Sequence, residues 1–138
     1  MITAVVDASV VAPFILADEA GDQSDRIVEL LTAGMALVPQ HWRLEMANLG
    51  LMAARRGRVS VVELEEALKL LDDFQIVVDP DTDRHAWRRT LSLAVLHDLT
   101  SYDAAYLDLA KRRALQLATR DVKLIQAAER ESVLLFPL

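Results

Sequence analysis

Short, uninterrupted apolar runs recur along the chain and restrict its fold more than any other feature. Each run is about four residues long, rich in valine, leucine or isoleucine, and ends at a proline or a polar residue. An apolar run without alternation predicts a strand that is covered on both faces, which is typical of parallel sheets. The predicted strands are Thr3–Val6, Met35–Val38, Gln75–Val78, Leu115–Ala118 and Val133–Phe136.

Helical spacing of apolar residues, with start and stop signals, fills the segments between these runs. Ser60 and Glu63 form a capping-box pattern, and Gly34 and Gly57 are expected to end helices. The predicted helices run from Ser9 to about Leu16, over Asp22–Ala33, from about His41 to Arg56, from Ser60 to about Asp73, from Asp81 or Asp83 to about His97, from Thr100 or Ser101 to Arg113, and over Asp121–Glu131.

This alternation predicts the α/β class. We expect one domain over residues 1–138, with three layers: a mostly parallel sheet of about four to five strands and helices on both faces. In such sheets ligands bind beyond the carboxyl ends of the strands, so polar residues there are the first candidates for a functional site.

Composition excludes several classes of protein. Hydrophobic residues make up 53% of the chain, which excludes intrinsic disorder, and the absence of cysteine excludes a disulfide scaffold. No apolar run reaches the roughly 18–20 residues needed to cross a bilayer. No basic segment precedes the apolar stretch near the N-terminus, so a secretion signal is not expected. We therefore expect a cytoplasmic protein without membrane association.

The net charge of −6 argues mildly against a nucleic-acid partner, but the local distribution of charge matters more. Of the 15 basic residues, 12 are arginine, and many are grouped. An acidic excess concentrated in one place would instead require a cation. The basic groups are Arg55, Arg56 and Arg58; Arg84, Arg88 and Arg89; and Lys111, Arg112 and Arg113.

Four carboxylates are expected at the carboxyl edge of the sheet. Asp7 directly follows the first predicted strand and Asp121 follows the fourth, while Glu45 and Asp103 lie early in helices that start near this edge. Four such charges either take up protons or bind a cation, and oxygen ligands favour Mg²⁺ or Mn²⁺. Each acid alone also has an ordinary explanation, as a helix cap or an exposed helix residue.

Four sequence words around these acids are more specific than the acids themselves. They are VVDASV at residues 5–10, LEMANLG at 44–50, SYDAAYLDLA at 101–110 and LATRDVKL at 117–124. In this order they resemble the PIN-domain ribonucleases, especially the VapC toxins of toxin–antitoxin pairs. The resemblance covers essentially the whole chain.

The resemblance implies a PIN fold and a Mg²⁺- or Mn²⁺-dependent endoribonuclease. It implies that Asp7 and Asp103 hold the metal and that Glu45 and Asp121 contribute directly or through water. It also implies an RNA substrate and a cognate antitoxin. By their place in the motifs, Ser9, Asn48 and Thr119 are supporting residues, although Ser9 and Thr119 could equally be helix caps, and Arg120 is the expected RNA contact.

The chain departs from the family pattern at two places. Lys123 stands where some relatives carry a further acid, which weakens the case for a second tightly held metal ion. Glu131, Ser132 and Val133 occupy the final turn, where the family often has a glycine. Asp98 could extend the acidic patch, but a role in its loop is favoured.

Other side chains give weaker signals. His41, His85 and His97 do not have the spacing of a metal site. Tyr102 and Tyr106 could stack on bases, but core packing is favoured because they are four residues apart.

Two alternative functions stay open at this point. An aspartyl phosphoryl-transfer protein would use Asp7 as its nucleophile, although Ser9 stands where a hydrolase of that kind has its second aspartate. A non-catalytic PIN-like binding module would keep the acids without turnover. In each case a surplus of apolar side chains predicts a homodimer. The apolar residues that support this expectation include Val10, Val11, Phe14, Ile15, Leu49 and Met52.

Overall fold

The computed structural model describes residues 1–19, 22–34 and 36–138. At the centre of the fold is a parallel sheet of four strands in the order β3-β2-β1-β4. The expected α/β class with a parallel sheet is confirmed. The strands are β1 (Ala4–Val6), β2 (Ala36–Val38), β3 (Val77–Val78) and β4 (Gln116–Ala118).

Helices connect the strands and cover both faces of the sheet. Helix α7 packs on β1, and α3 packs against α1 and α4. The helices are α1 (Ala8–Val11), α2 (Asp22–Thr32), α3 (Trp42–Arg55), α4 (Val61–Asp72), α5 (Thr82–His85), α6 (Leu91–His97), α7 (Ser101–Arg113) and α8 (Val122–Arg130). Two 3₁₀ turns follow α1, at Ala12–Phe14 and Ala17–Glu19, and a π-helical turn at Ala86–Thr90 joins α5 to α6.

Helix caps hold the helix starts where the sequence predicts them. The Ser60 hydroxyl accepts a hydrogen bond from Glu63 N at 3.0 Å, and Glu63 accepts one from Ser60 N at 3.2 Å. The Thr100 hydroxyl accepts from Asp103 N at 3.1 Å, and Asp121 accepts from Leu124 N at 2.8 Å. These caps satisfy backbone groups that a helix start leaves without partners.

Several predicted elements are wrong in their details. Segment Val133–Phe136 is not a strand, because its only bridge to β4 joins Leu135 to Leu117. The helix predicted from Ser9 to Leu16 ends at Val11 and continues as a 3₁₀ turn that contains Pro13. Ser9 lies within α1 and does not cap it.

The helix predicted from Asp81 to His97 is interrupted. Arg88 has φ −120° and ψ −108°, outside the helical region, so two helices meet there at a kink. No proline or glycine marks this position in the sequence. Met35, the first residue of the second predicted strand, lies outside the described residues.

The apolar residues that led to the dimer prediction are buried or half-buried in the monomer. Val10, Val11 and Ile15 are buried, which removes them from any exposed interface, while Phe14, Leu49 and Met52 are half-buried. Other large apolar side chains are exposed instead. The large exposed apolar side chains include Trp87, Leu91 and Val95. Within the described ranges, no helix has both the length and the hydropathy to cross a membrane.

The strand order places a crevice between β1 and β4. From β1 the chain adds β2 and then β3 on one side, and it then returns to add β4 on the other side of β1. At such a reversal the connecting segments leave the two adjacent strands in opposite directions and open a crevice at their carboxyl ends. Val6 pairs with Ala118, so β1 and β4 end at the same level and their following residues meet at this crevice.

Candidate active site

The four predicted acids are carried by four elements that meet at this crevice. Asp7 follows β1, and its backbone N–H donates to the carbonyl of Ala118 at the end of β4 at 3.0 Å. Asp121 caps α8. Glu45 and Asp103 lie in the first turns of α3 and α7. The structure thus brings together the acids that the sequence places more than 110 residues apart.

Two hydroxyl groups fix the side chain of Asp7. Ser9 Oγ and Thr119 Oγ1 each donate to Asp7 Oδ2 at 2.8 Å. The same hydroxyl oxygens accept hydrogen bonds at 3.0 Å from the backbone N–H groups of Arg120 and Asp121. Ser9 and Thr119 therefore join the end of β1 to the turn after β4, and they orient Asp7 through its Oδ2 oxygen.

Burial and mutual repulsion raise the pKa values of two of the acids. Asp7 is 4% exposed, and its burial raises the pKa of the carboxyl to about 6. The hydrogen bonds from Ser9 and Thr119 lower this pKa, and the charges of Glu45 and Asp103 raise it further. The pKa of Asp103 is also raised, first by burial and then by the charges of Asp121 and Glu45. The acids are close enough to repel one another.

Glu45 has two partners that sequence reasoning missed. The hydroxyl of Tyr106 donates to Glu45 Oε1 at 3.0 Å, and His41 Nε2 lies 2.8 Å from the same oxygen. Helical spacing could have indicated both residues. His41 precedes Glu45 by four residues and Tyr106 follows Asp103 by three, so each shares a helix face with one of the acids. Of the two tyrosines, Tyr106 is buried, as expected for core packing, whereas Tyr102 is exposed.

The donor set suits a hard divalent cation. In the described part of the chain, no lysine or arginine forms an ion pair with Asp7, Glu45, Asp103 or Asp121. No three His, Asp or Glu side chains of the described residues already stand in ligand geometry, so the acids are neighbours without forming a closed cage. A Mg²⁺ ion keeps several waters and takes only one or two carboxylates, so it does not require a closed cage.

A groove of about 460 Å³ is lined by residues of α3 together with Ser9 and Arg120, and Arg56 and Arg58 also line it. The four acids are not among its lining residues, but Ser9 connects it to them by donating to Asp7 Oδ2. Arg58 is paired with Asp18 and Glu19, whereas the buried Nε atom of Arg120 has no hydrogen-bond partner among the described residues. The groove can therefore offer positive charge close to the acids.

Two further residues that the sequence singled out are exposed. Asn48 is exposed one turn after Glu45 on α3. The Asp98 side chain is 97% exposed and lies 3.3 Å from Lys123 Nζ, and the residue is the C-cap of α6, in line with the helix-end or loop role that the sequence favoured.

A second group of buried acids lies away from the crevice and was not predicted. Arg112 donates to Asp79 Oδ2 through one guanidinium nitrogen and to Asp108 Oδ2 through another, each at 2.8 Å. Thr82 and Thr90 also donate to these two acids. Burial alone would raise the pKa of Asp79, but the hydrogen bond from Arg112 is among the contacts that lower it overall.

Comparison with known proteins agrees with this architecture. A family model described as "PIN domain" matches residues 4–130. The chain is 32% identical over 126 residues to a protein named Ribonuclease VapC3 from Pyrobaculum aerophilum. The aligned region covers 88% of this chain and 92% of that protein.

Solved structures share the fold. PAE2754 from Pyrobaculum aerophilum superposes with a TM-score of 0.68 at 24% identity, over 91% of this chain and 84% of that chain. Mycobacterium tuberculosis VapC20, described as a toxin that cleaves the sarcin-ricin loop, superposes with a TM-score of 0.62 at 17% identity, over 91% of this chain and 95% of that chain. FitAcB from Neisseria gonorrhoeae superposes with a TM-score of 0.55 at 18% identity, over 98% of this chain and 97% of that chain. At these identities the likeness concerns the fold.

Proposed function

The chain belongs to the PIN-domain family, and from this premise we propose that it is a Mg²⁺- or Mn²⁺-dependent endoribonuclease and the toxin of a toxin–antitoxin pair. The proposal is supported by 32% identity, over most of both chains, to a protein named as a VapC ribonuclease. The toxin named among the structures of the same fold is further support.

One observation carries the proposal: a carboxylate buried at the crevice has acidic neighbours and, among the described residues, no cationic partner. Asp7 is 4% exposed, and the charges of Glu45 and Asp103 raise its pKa further. A buried charge without a partner is costly to a fold. Its presence at a topological switch point is therefore better explained by ligand binding than by stability.

The proposed reaction is hydrolysis of an RNA phosphodiester bond. A bound divalent cation supplies Lewis acidity and lowers the pKa of a coordinated water. Asp7 and Asp103 are the proposed primary ligands, with Glu45 and Asp121 acting directly or through water. Because Ser9 and Thr119 both donate to Asp7 Oδ2, its Oδ1 is the oxygen left for a ligand.

We assign Arg120 to the RNA backbone. It lines the groove beside Asp7, and its backbone N–H is fixed by Ser9 Oγ at 3.0 Å. A guanidinium there would neutralise a phosphate close to the bond that is cut. Asn48, exposed one turn after Glu45, is a further supporting residue in this proposal.

The alternatives are less well supported. A nucleophilic Asp7 would have to admit a phosphoryl group, which is much larger than a metal ion, to its one oxygen without hydroxyl partners, yet this side chain is only 4% exposed. Trapping of an aspartyl-phosphate analogue with beryllofluoride would favour that alternative. A non-catalytic binding module would bind a partner but not Mn²⁺.

We also propose a single domain, a cytoplasmic location, a cognate antitoxin and a homodimer. The antitoxin follows from the VapC similarity, and the cytoplasm from the proposed RNA substrate. For the dimer, Trp87, Leu91 and Val95 are exposed apolar side chains at four-residue spacing. Sedimentation at tens of micromolar, compared with Trp87→Glu, tests the dimer; a wild-type monomer at that concentration would contradict it.

The function is tested by Mn²⁺ titration calorimetry and by cleavage of structured RNAs. Asp103→Asn should abolish both Mn²⁺ binding and cleavage, because Asp103 is half-buried among the other acids. Asp98→Asn is the matched control, since this exposed aspartate pairs with Lys123, and it should leave both unchanged. A folded wild-type protein that binds no Mn²⁺ would contradict the proposed metal dependence.

A further inference from the structure

The carboxylate of Glu45 is held from one side only. Tyr106 Oη donates to Oε1 at 3.0 Å, and His41 Nε2 lies 2.8 Å from the same atom. In the described part of the chain, Oε2 has no side-chain or backbone hydrogen-bond partner. The two oxygens of Glu45 therefore have different environments, as do those of Asp7, where both hydroxyl groups contact Oδ2.

The two partners of Glu45 are themselves fixed. Tyr106 is 0% exposed, on the buried face of α7. His41 Nε2 also lies 3.2 Å from the backbone carbonyl of Tyr102, in the first turn of α7. Since both neighbours of this nitrogen accept hydrogen bonds, Nε2 carries the proton. Rings of Tyr102 and Tyr106 lie 5.7 and 5.4 Å from that of His41, so the imidazole has little room to turn.

Without these contacts Glu45 would be pushed out of the crevice. Its neighbours include Asp7 and Asp103, whose pKa values its charge helps to raise. A glutamate at the start of an exposed helix has three side-chain torsions through which to move into solvent and away from like charge. The hydrogen bonds from Tyr106 and His41 oppose that movement.

We propose that Tyr106 and His41 are positioning residues that hold Oε1 of Glu45, so that Oε2 is presented to the divalent cation bound by the acids. This inference rests on the proposed metal-dependent function. His41 also links the starts of α3 and α7, the two helices that carry Glu45 and Asp103. It therefore fixes the separation of two proposed ligands.

The test compares variants that remove or retain each donor. Tyr106→Phe removes only the hydroxyl group, His41→Leu removes the ring nitrogen, and His41→Gln keeps an N–H donor at a similar reach. Tyr102→Phe is the matched control, since it removes the hydroxyl of an exposed tyrosine on the same helix. For each protein we would measure Mn²⁺ affinity by calorimetry, kcat and KM for RNA, and metal-free thermal unfolding.

Tyr106→Phe and His41→Leu should each weaken Mn²⁺ binding by about 10-fold or more, the usual cost of losing a residue that orients a ligand. We expect kcat to fall in parallel while KM stays within about twofold, because the RNA contacts are unchanged. His41→Gln should recover most of the loss. Tyr102→Phe should match the wild type.

A purely structural role predicts a different result. In that case Tyr106→Phe would lower the unfolding midpoint and leave Mn²⁺ affinity and kcat within about twofold of wild type, and this outcome would overturn the inference. If the wild type binds Mn²⁺ and Tyr106→Phe weakens binding, but no RNA is cut, the ribonuclease proposal fails and the positioning role stands. A folded wild type that binds no Mn²⁺ overturns both.

Discussion

Two buried aspartates follow strands of the same sheet, yet their surroundings are opposite. Asp7 follows β1 and is 4% exposed; Asp79 follows β3 and is 1% exposed. Asp7 receives hydrogen bonds from two neutral hydroxyl groups, and its pKa is raised to about 6. Asp79 receives a charged hydrogen bond from Arg112 at 2.8 Å, and its pKa is lowered.

The difference separates an acid that is paired within the fold from one that we propose to bind a ligand. Arg112 pairs with both Asp79 and Asp108, and Arg89 Nε lies 3.7 Å from Asp108 Oδ1, so both acids have an arginine partner within the fold. The crevice acids have no such partner among the described residues. A fold that keeps an uncompensated carboxylate loses stability, and that loss is recovered when a cation binds. Similar burial can therefore serve opposite purposes, depending on the partner.

The largest expected effect comes from replacing each of the two aspartates, in separate variants, by asparagine. Asp7→Asn should bind no Mn²⁺ and lose more than about 100-fold in RNA cleavage, since metal stabilisation of the transition state is worth several kcal/mol. It should still fold. Asp79→Asn should retain Mn²⁺ affinity while unfolding at a lower denaturant concentration. Calorimetry, cleavage rates and denaturant titrations of both variants check this, and equal effects of the two on either property would erase the distinction.

Removing the cation of the second cluster should have the next largest effect. Arg112→Met leaves Asp79 and Asp108 buried without their main partner, which should lower the free energy of unfolding by about 3–5 kcal/mol. Arg113→Met, at the exposed neighbouring position, is the control and should change stability little. Urea unfolding measures both. A loss for Arg112→Met no larger than that of the control would show that this network contributes no stability.

The pH dependence of stability should have opposite signs at the two aspartates. Because the folded protein raises the pKa of Asp7 from 3.8 to about 6, the folded state binds the proton more tightly than the unfolded state does. The contribution of Asp7 to metal-free stability, about 3 kcal/mol in all, should therefore fall by about 2 kcal/mol as pH rises from 4 to 6, and level off about one pH unit higher. Asp79 acts in reverse, since its lowered pKa gives stability that is lost as pH falls below its ordinary value.

Asp7→Asn isolates its share of this pH dependence. The difference in unfolding free energy between Asp7→Asn and wild type, measured by urea titration in EDTA, should grow between pH 4 and pH 6. A difference that is constant across this range would show that Asp7 is not the group responsible.

Local rules predicted the parts of the fold that depend on neighbouring residues. The caps at Ser60, Thr100 and Asp121 each join residues three apart, and the apolar runs mark all four strands. The four acids were found because each belongs to a strand end or a helix start. Their convergence depends on the strand order, which no local pattern contains.

The features that the sequence did not reveal join distant residues. Tyr106 and Glu45 are 61 residues apart, and Arg112 and Asp79 are 33 apart. Whether an aspartate is paired is decided by such contacts, so the sequence singled out Asp7 by its motif but could not show that Asp79 has an arginine partner. The kink at Arg88 is similar, because nothing in its neighbourhood breaks a helix and tertiary packing overrides propensity there.

The smallest expected effect tests whether the crevice also attracts its substrate. Arg120→Gln removes one positive charge from the groove beside Asp7 while keeping polarity and the backbone hydrogen bond to Ser9. If Arg120 contacts one phosphate, KM for RNA should rise several-fold, and the slope of log affinity against log salt should become shallower by about 0.7–0.9. Mn²⁺ affinity and kcat should stay near wild type, because the acids are intact.

Arg130→Gln, at an exposed position at the end of α8, is the control for a general loss of charge. An equal change in salt slope for both variants would mean that Arg120 acts only through net charge. A change confined to Arg120→Gln would show that the groove, as well as the four acids, contributes to function.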